Sequence, residues 1–198
     1  MGKDITSLPP YRISALGLIR TFQITSIFPR LTVLQNIQVP LFIARGKAMS
    51  LFPPARNRCR EEAEGILGQV GLGDQAPLLA GSLPHGDQKR LELGIALAQE
   101  PRMLLLDEPT AGMAPAERKS LLELLVKVVN QRGLTLFFTE HDMDVVFSVA
   151  ERILVMHQGG IIAAGPPEAV RTNDEVKRAY LGEARWRWKS KRHIPTTG

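Results

Sequence analysis

Two adjacent carboxylates follow a run of aliphatic residues near the middle of the chain. Residues 103–106 are all apolar, which is typical of a buried strand in a parallel sheet. Asp107 and Glu108 come directly after it, and Pro109 then interrupts strand pairing because it lacks an N–H. Since ligands of open α/β sheets bind outside the carboxyl ends of the strands, Asp107 is a candidate Mg²⁺ ligand and Glu108 a candidate base for an attacking water. Taken alone, the pattern also fits an ordinary strand followed by a solvated acidic turn.

The elements around these acids alternate between strand and helix in the second half of the chain. Apolar runs bounded by turn residues predict strands over 102–107, 134–139, 152–157 and 161–164. Helical periodicity predicts helices over 116–132, 143–150, 167–172 and 174–181, the first of them ended by Gly133. This alternation predicts an α/β fold in which helices flank a parallel sheet.

The first half of the chain departs from that alternation. A short apolar segment over 16–22 predicts a strand that runs into Gln23. Helices are predicted through residue 39 with a Thr32 cap, over 55–70 and over 87–99, with irregular structure over 41–54 and a short helix or turn over 74–83. Residues 24–98 therefore form a predicted all-helical insertion.

Composition indicates a globular protein with one domain, or a core with a small subdomain. The 198 residues are 44% hydrophobic and 23% charged. No apolar run approaches the roughly 18 residues that a membrane-spanning helix needs, and the first ten residues carry no apolar signal segment. Cys59 is the only cysteine, which excludes an internal disulfide and favours the cytosol; we expect it on a helix surface.

The excess positive charge lies at the end of the chain. The net charge is +5, and residues 185–198 (RWRWKSKRHIPTTG) hold five basic side chains and no acid, so the rest of the chain has 20 basic and 20 acidic residues. This neutral folded part argues against a nucleic-acid-binding core. The tail either contacts an anionic membrane surface through its Arg and Trp side chains or is a solvated, disordered terminus.

Four features in order carry a resemblance to a known family. They are Gln23 at a strand end, the segment LPHGDQ at the start of a helix, Asp107-Glu108 at a second strand end, and His141 just past a third. The chain resembles the nucleotide-binding subunit of an ABC transporter. The segments GLIRTFQ, AGMAP, TEHDM and AYLGEA resemble the branched-chain amino acid uptake ATPases in particular.

The resemblance implies a role for each matched residue. Gln23 is then the Q-loop glutamine, which contacts Mg²⁺ and water. Asp107 is then a ligand of Mg²⁺, and Glu108 is the catalytic base. His141 is then the switch histidine, which bonds the γ-phosphate of ATP. The signature residues would bind a phosphate of the ATP held by the opposite subunit, at free amides of a helix N-terminus: Leu83, Pro84, His85, Gly86, Asp87 and Gln88.

The resemblance also implies the organisation and the partners. It implies a P-loop NTPase-type parallel sheet core with an inserted α-helical subdomain. Residues 1–23 would be a remnant of the core, 24–98 the subdomain, 99–184 the rest of the core with the C-terminal helices, and 185–198 a basic tail. The partners implied are a second ATP-binding subunit, alike or different, and permease subunits contacted by the helical subdomain, with no nucleic acid. The location implied is peripheral, on the cytoplasmic face of the plasma membrane.

Several positions depart from the family pattern. Pro84 stands where many relatives have a serine and lacks both a hydroxyl and an N–H. Asp87 replaces the more usual glutamine or glutamate and would bring a carboxylate near the phosphates. Ile95 stands where the family commonly has an arginine, and Ala114 where the D-loop often has an aspartate or asparagine. These departures put full activity in doubt.

The largest departure is an absence from the sequence. No glycine-rich loop of the form GxxxxGK[ST] occurs in the 198 residues, since Gly46-Lys47 is followed by Ala48. We therefore interpret the chain as N-terminally truncated and expect it to be inactive as an ATPase by itself. Two alternatives remain: an inactive partner or decayed copy that lends only its signature loop to a dimer, and a soluble ABC ATPase of DNA repair or translation. The neutral core and AYLGEA argue against the latter.

Overall fold

The computed structural model describes residues 4–21, 27–44 and 53–181. Contacts between residues divide the chain into two compact units, Met1–His141 and Asp142–Gly198. The domain bounds expected from the sequence do not coincide with this division and stay a prediction. Gln23 and the basic tail lie outside the described residues.

A parallel sheet forms the centre of the first unit. Its strands are β1 (Leu18–Arg20), β2 (Met103–Asp107) and β3 (Thr135–Thr139), and β2 lies between the other two. The strands are in register at Ile19, Leu104 and Leu136. The parallel pairing predicted from the alternation of elements is therefore confirmed for these three strands. Their carboxyl ends meet at one edge, where Asp107 is paired with Thr139.

Three α-helices lie between β1 and β2 in the described part of this unit. They are α2 (Val33–Ala44), α3 (Pro53–Val70) and α4 (His85–Leu97), with α1 (Pro10–Ala15) before β1 and α5 (Pro115–Arg132) after β2. The apolar faces of α2, α3, α4 and α5 share one buried core with the sheet. Gly94 allows α4 to pack closely against α2, because a Cβ atom at this position would lie 2.8 Å from Cδ1 of Ile37.

The predicted cap at Thr32 is confirmed, and helix α2 is longer than expected. The Thr32 Oγ1 atom accepts from Gln35 N at 3.1 Å, and Gln35 Oε1 accepts from Thr32 N at 2.9 Å, which is a capping box. The helix continues past residue 39 to Ala44 and contains Pro40. The expectation of irregular structure from residue 41 was therefore wrong for 41–44. Pro40 and Leu41 are both buried, so tertiary packing outweighs the weak helix propensity of proline here.

Asn36 organises the turn that precedes α2 and is completely buried. Its Oδ1 accepts from Phe28 N at 2.7 Å, and its Nδ2 donates to Phe28 O at 3.1 Å and to Thr32 O at 2.9 Å. A buried amide stabilises a fold only when its donors and acceptors are satisfied, as they are here. Cys59 is also buried, at 1% exposure in α3, so the expectation of a surface position was wrong.

Arg132 joins the last turn of α5 to the helices of the insertion. Its Nη2 and Nε atoms donate to Gln69 Oε1 at 2.6 and 3.0 Å, and its Nη1 donates to Leu97 O at 3.2 Å, at the end of α4. Partial burial lowers the pKa of the Arg132 guanidinium, and the nearby charge of Glu100 opposes that shift. Gly133 follows with φ 62° and ends α5, as the sequence predicted.

The described part of the second unit, residues 142–181, contains a hairpin and short helices. Helix α6 (Met143–Val149) is capped by Asp142 and precedes β4 (Ile153–His157) and β5 (Gly160–Gly165), which are followed by α7 (Pro167–Thr172) and α8 (Asp174–Val176). A π-helical turn, Lys177–Leu181, replaces the end of the helix predicted over 174–181. Strands β4 and β5 are antiparallel, because the short Gln158-Gly159 turn cannot join parallel strands.

Candidate active site at the carboxyl edge of the sheet

Asp107 lies at the end of β2 between the ends of its two neighbours. Its Oδ1 accepts a hydrogen bond from the Thr139 hydroxyl on β3, and its Oδ2 lies 3.5 Å from Arg20 Nη2 on β1. The side chain is 34% exposed. Mg²⁺ in nucleotide sites is bound by one or two carboxylates, with water and substrate phosphates completing the octahedron. A single, half-buried carboxylate flanked by a hydroxyl fits that role.

Glu108 and His141 meet at this edge of the sheet. His141 Nδ1 lies 3.4 Å from Glu108 Oε1, and the imidazole is 75% exposed whereas the carboxylate is 35% exposed. The Glu108 backbone N–H donates to Thr139 O at 3.0 Å, which extends the pairing of β2 with β3 by one residue. The two side chains therefore lie next to each other, where a carboxylate can accept a proton and an imidazole can bond a phosphate.

Glu140 is a further acid of this site that the sequence analysis did not assign. Its side chain is 1% exposed, and its Oε2 lies 4.0 Å from His141 Nδ1. Its Oε1 accepts from the Thr110 hydroxyl at 2.6 Å and from Thr110 N at 3.3 Å. The motif TEHDM contains Glu140, but an acid beside a histidine at a strand end gives no sign that it is buried.

The signature segment begins helix α4, as the resemblance implied. Pro84 is the residue before the helix and provides no side-chain cap, while Gln88 N donates to Pro84 O at 3.0 Å and Gln88 Nε2 to Leu83 O at 2.9 Å. Pro84 and His85 are exposed, whereas Leu83 and Gly86 are buried. Backbone amides at a helix N-terminus attract an anion, and this helix begins at the exposed residues Pro84 and His85.

Asp87 has protein partners in the structure. Its Oδ2 accepts from Gln75 Nε2 at 3.1 Å, and its Oδ1 lies 3.8 Å from Arg90 Nε. The carboxylate that the sequence suggested near the phosphates is thus bound to an amide and a guanidinium of its own chain. This pairing reduces the repulsion that an unpaired Asp87 would exert on a phosphate.

The signature helix packs against the AGMAP segment of the same chain. A Cβ atom on Gly86 would lie 3.4 Å from Glu117 Oε1 and 3.7 Å from Met113 Cε, and one on Gly112 would lie 3.8 Å from His85 Nε2. Glu117 Oε2 also accepts from Ala114 N at 3.3 Å, at the start of α5. The residues predicted as D-loop and signature motif therefore form one contiguous surface.

A largely buried ion pair within α4 lies beside the sheet edge. Lys89 Nζ lies 3.0 Å from Glu92 Oε2, and the two side chains are only 12% and 9% exposed. Both line a cavity of about 30 Å³ together with Asp107 and Thr21, enough for a water molecule. The second carboxylate oxygen of Glu92 is buried and has no hydrogen-bond partner among the described residues.

Within the described ranges, no three His, Cys, Asp or Glu side chains cluster as a self-sufficient metal site. Gln23, the other residue expected near the metal, lies outside those ranges. A parallel sheet with two acids and a histidine at its carboxyl edge is typical of α/β nucleotide-binding proteins.

The comparisons with known proteins identify the family within that class. The chain belongs to the ABC transporter family, whose model matches residues 2–111. A second model, for branched-chain amino acid ATP-binding cassette transporters, matches residues 161–185. The predicted resemblance is therefore confirmed, including its branch, and so is the fold class.

Curated relatives are similar over most of the chain. The high-affinity branched-chain amino acid transport ATP-binding protein LivG of Escherichia coli K12 is 38% identical, with 92% of this chain and 74% of the relative covered. The corresponding protein BraF of Pseudomonas aeruginosa is 36% identical with the same coverage. The lipopolysaccharide export ATP-binding protein LptB of Haemophilus influenzae is 35% identical, with 92% of this chain and 72% of the relative covered.

Solved structures of ATP-binding cassettes have the same fold. An ABC transporter cassette in its ADP conformation has a TM-score of 0.76 at 29% identity, covering 91% of this chain and 74% of that structure. A nucleotide-free cassette has a TM-score of 0.72 at 28% identity, covering 91% and 75%. In the described part of this chain, no helix is long and apolar enough to cross a membrane.

Proposed function

We propose that this chain acts as an ATP-binding subunit of an importer for branched-chain amino acids. The observation that carries the proposal is the 3.4 Å approach of His141 to Glu108, beside Asp107 at the carboxyl edge of the sheet. The names of the LivG and BraF relatives support the substrate class. We place the subunit peripherally, on the cytoplasmic face of the membrane, with a second ATP-binding subunit and permease subunits as its partners.

Each residue then has a defined part in hydrolysis. Asp107 would hold Mg²⁺, which neutralises charge that develops on the phosphates of ATP. Glu108 would accept a proton from the attacking water, and His141 would bond the γ-phosphate while paired with Glu108. The amides at the start of α4 would contact a phosphate of ATP held by the second subunit.

One feature of the sequence favours a second candidate function. The 198 residues contain no glycine-rich loop ending in Lys-Ser or Lys-Thr, and phosphoryl transfer depends largely on such positioning of the phosphates. In this second function, the signature loop of the chain would contact ATP bound by an intact subunit, and Glu108 would have no part in catalysis. Under either function, the chain alone is expected to hydrolyse ATP negligibly.

Amino acid uptake distinguishes the two functions. Cells without their own branched-chain uptake ATPase would receive the permease, one intact ATP-binding subunit and this chain. Labelled leucine is expected to enter only when the chain is present. Import that Glu108→Gln reduces supports the catalytic role. Import that is insensitive to Glu108→Gln but lost with His85→Glu supports the lent signature loop, because a new carboxylate at the first turn of α4 repels phosphate. Absence of leucine import in every combination would contradict both.

A further inference from the structure

We propose that Glu140 is a positioning residue, which fixes Glu108 and His141 relative to each other by anchoring the turn after β2. Its effect on hydrolysis rests on the proposed function, whereas the geometric claim does not. Glu140 directly precedes His141 in the chain. It also accepts a hydrogen bond from Thr110, which lies in the turn that contains Glu108. One carboxylate is thus connected to both members of the pair.

The anchor is a pair of hydrogen bonds from Thr110 to the buried carboxylate of Glu140. The side chain of Glu140 is 1% exposed and Thr110 is 2% exposed, so little water reaches the two hydrogen bonds between them. The hydroxyl donates to Glu140 Oε1 at 2.6 Å and the backbone N–H donates to the same atom at 3.3 Å. Hydrogen bonds to an ionised acceptor are shorter and stronger than neutral ones, and a buried carboxylate requires them.

The turn needs an anchor because Glu108 has an unfavourable backbone conformation. Its φ is 45°, in the left-handed region that residues other than glycine rarely adopt. Such a conformation persists only where surrounding contacts determine it. Four contacts of the turn do so: Glu108 N to Thr139 O, Ala111 N to Glu108 O, Met113 N to Thr110 O, and Thr110 to Glu140. Only the last of them uses side chains and can therefore be removed by substitution.

The orientation of the His141 imidazole also depends on the hydrogen bonds between Glu140 and Thr110. The imidazole is 75% exposed, and its Nδ1 lies 3.4 Å from Glu108 Oε1 and 4.0 Å from Glu140 Oε2. An exposed ring keeps one orientation only when such partners hold it. If Glu140 releases the turn, Glu108 moves away from His141 although both residues are still present.

The test measures the coupling between Glu108 and His141 without nucleotide. The full chain is labelled with ¹⁵N-histidine, and the ring resonances of His141 are assigned with a His141→Asn variant. The shift caused by Glu108→Gln at one fixed pH is then measured in five backgrounds: wild type, Glu140→Ala, Glu140→Gln, Thr110→Val and Thr110→Ser. Circular dichroism checks that each variant is folded.

The proposal predicts a large shift in the wild type that is mostly lost in Glu140→Ala and in Thr110→Val. Glu140→Gln and Thr110→Ser keep an acceptor and a hydroxyl respectively, so both should retain the shift. A merely structural role would lower the melting temperature but leave the shift unchanged. An undiminished shift in folded Glu140→Ala or Thr110→Val would overturn the proposal, and so would loss of the shift in the two conservative variants. Because no ATP is used, failure here is separate from failure of the proposed function.

Discussion

Glu108→Gln is expected to slow ATP hydrolysis by about 10²–10⁴-fold while ATP binding is retained, once the chain is joined to the phosphate-loop segment of a relative. Glutamine has nearly the same shape as glutamate and can still donate or accept hydrogen bonds beside His141, but it cannot take a proton from water. ATP therefore persists in the site, and subunit pairs held together by ATP accumulate. Turnover in a phosphate-release assay and the size of the ATP-bound species by gel filtration measure the two effects.

Glu123→Gln is the matched control for this substitution. Glu123 lies on the exposed surface of α5, where its only ion-pair partner within the described residues is Lys119 at 3.8 Å. Removing its charge should leave turnover unchanged. Hydrolysis by the Glu108→Gln protein that equals or exceeds the wild-type rate would contradict the assignment of Glu108 as the base.

Lys89→Met is expected to lower the free energy of unfolding by about 3–5 kcal/mol, because it leaves a buried carboxylate without its partner. Lys89 Nζ lies 3.0 Å from Glu92 Oε2, and Glu92 is 9% exposed with its other oxygen already unsatisfied in the described part of the chain. The loss should be visible as a lower midpoint in urea denaturation with a similar slope.

Two further variants make this prediction specific. The double variant Lys89→Met, Glu92→Leu removes both buried charges and should regain most of the lost stability. Lys119→Met breaks the exposed pair with Glu123, whose side chains are 77% and 68% exposed, and should change stability by less than about 1 kcal/mol. Equal effects of Lys89→Met and Lys119→Met would show that the Lys89–Glu92 pair is not buried as described.

Periodicity and turn residues made most of the fold predictable. The apolar run that ends at Asp107 and the glycine at 133 set the ends of β2 and α5 to within about a residue, because burial and backbone conformation act locally there. The α2 helix was less predictable. Pro40 indicates a helix end locally, and only its burial in the shared core shows why the helix continues.

The candidate site was predictable where chemistry follows from position in the chain. Asp107 is the last residue of β2, Glu108 comes directly after it, and His141 lies two residues past the end of β3. Parallel strands bring such ends to one edge of the sheet. Glu140 and Glu92 were not assigned, because burial of an acid depends on contacts with distant residues such as Thr110. The partners of Asp87 were likewise unforeseen, since Gln75 and Arg90 approach it only in the folded chain.

The claim that the start of α4 binds ATP held by a second subunit is tested most directly by nucleotide-dependent pairing. This chain is mixed with an intact ATP-binding subunit from a relative, in which the catalytic glutamate has been replaced by glutamine. Sedimentation velocity is measured with and without ATP and Mg²⁺. We expect a heteropair only with ATP, and we expect His85→Glu to abolish it but not the control Gln131→Glu on the exposed surface of α5. An acid in the first turn suits the helix itself, so unfolding would not explain that loss. Pairing that is the same without ATP, or is unaffected by His85→Glu, would show that the start of α4 does not bind ATP held by the second subunit.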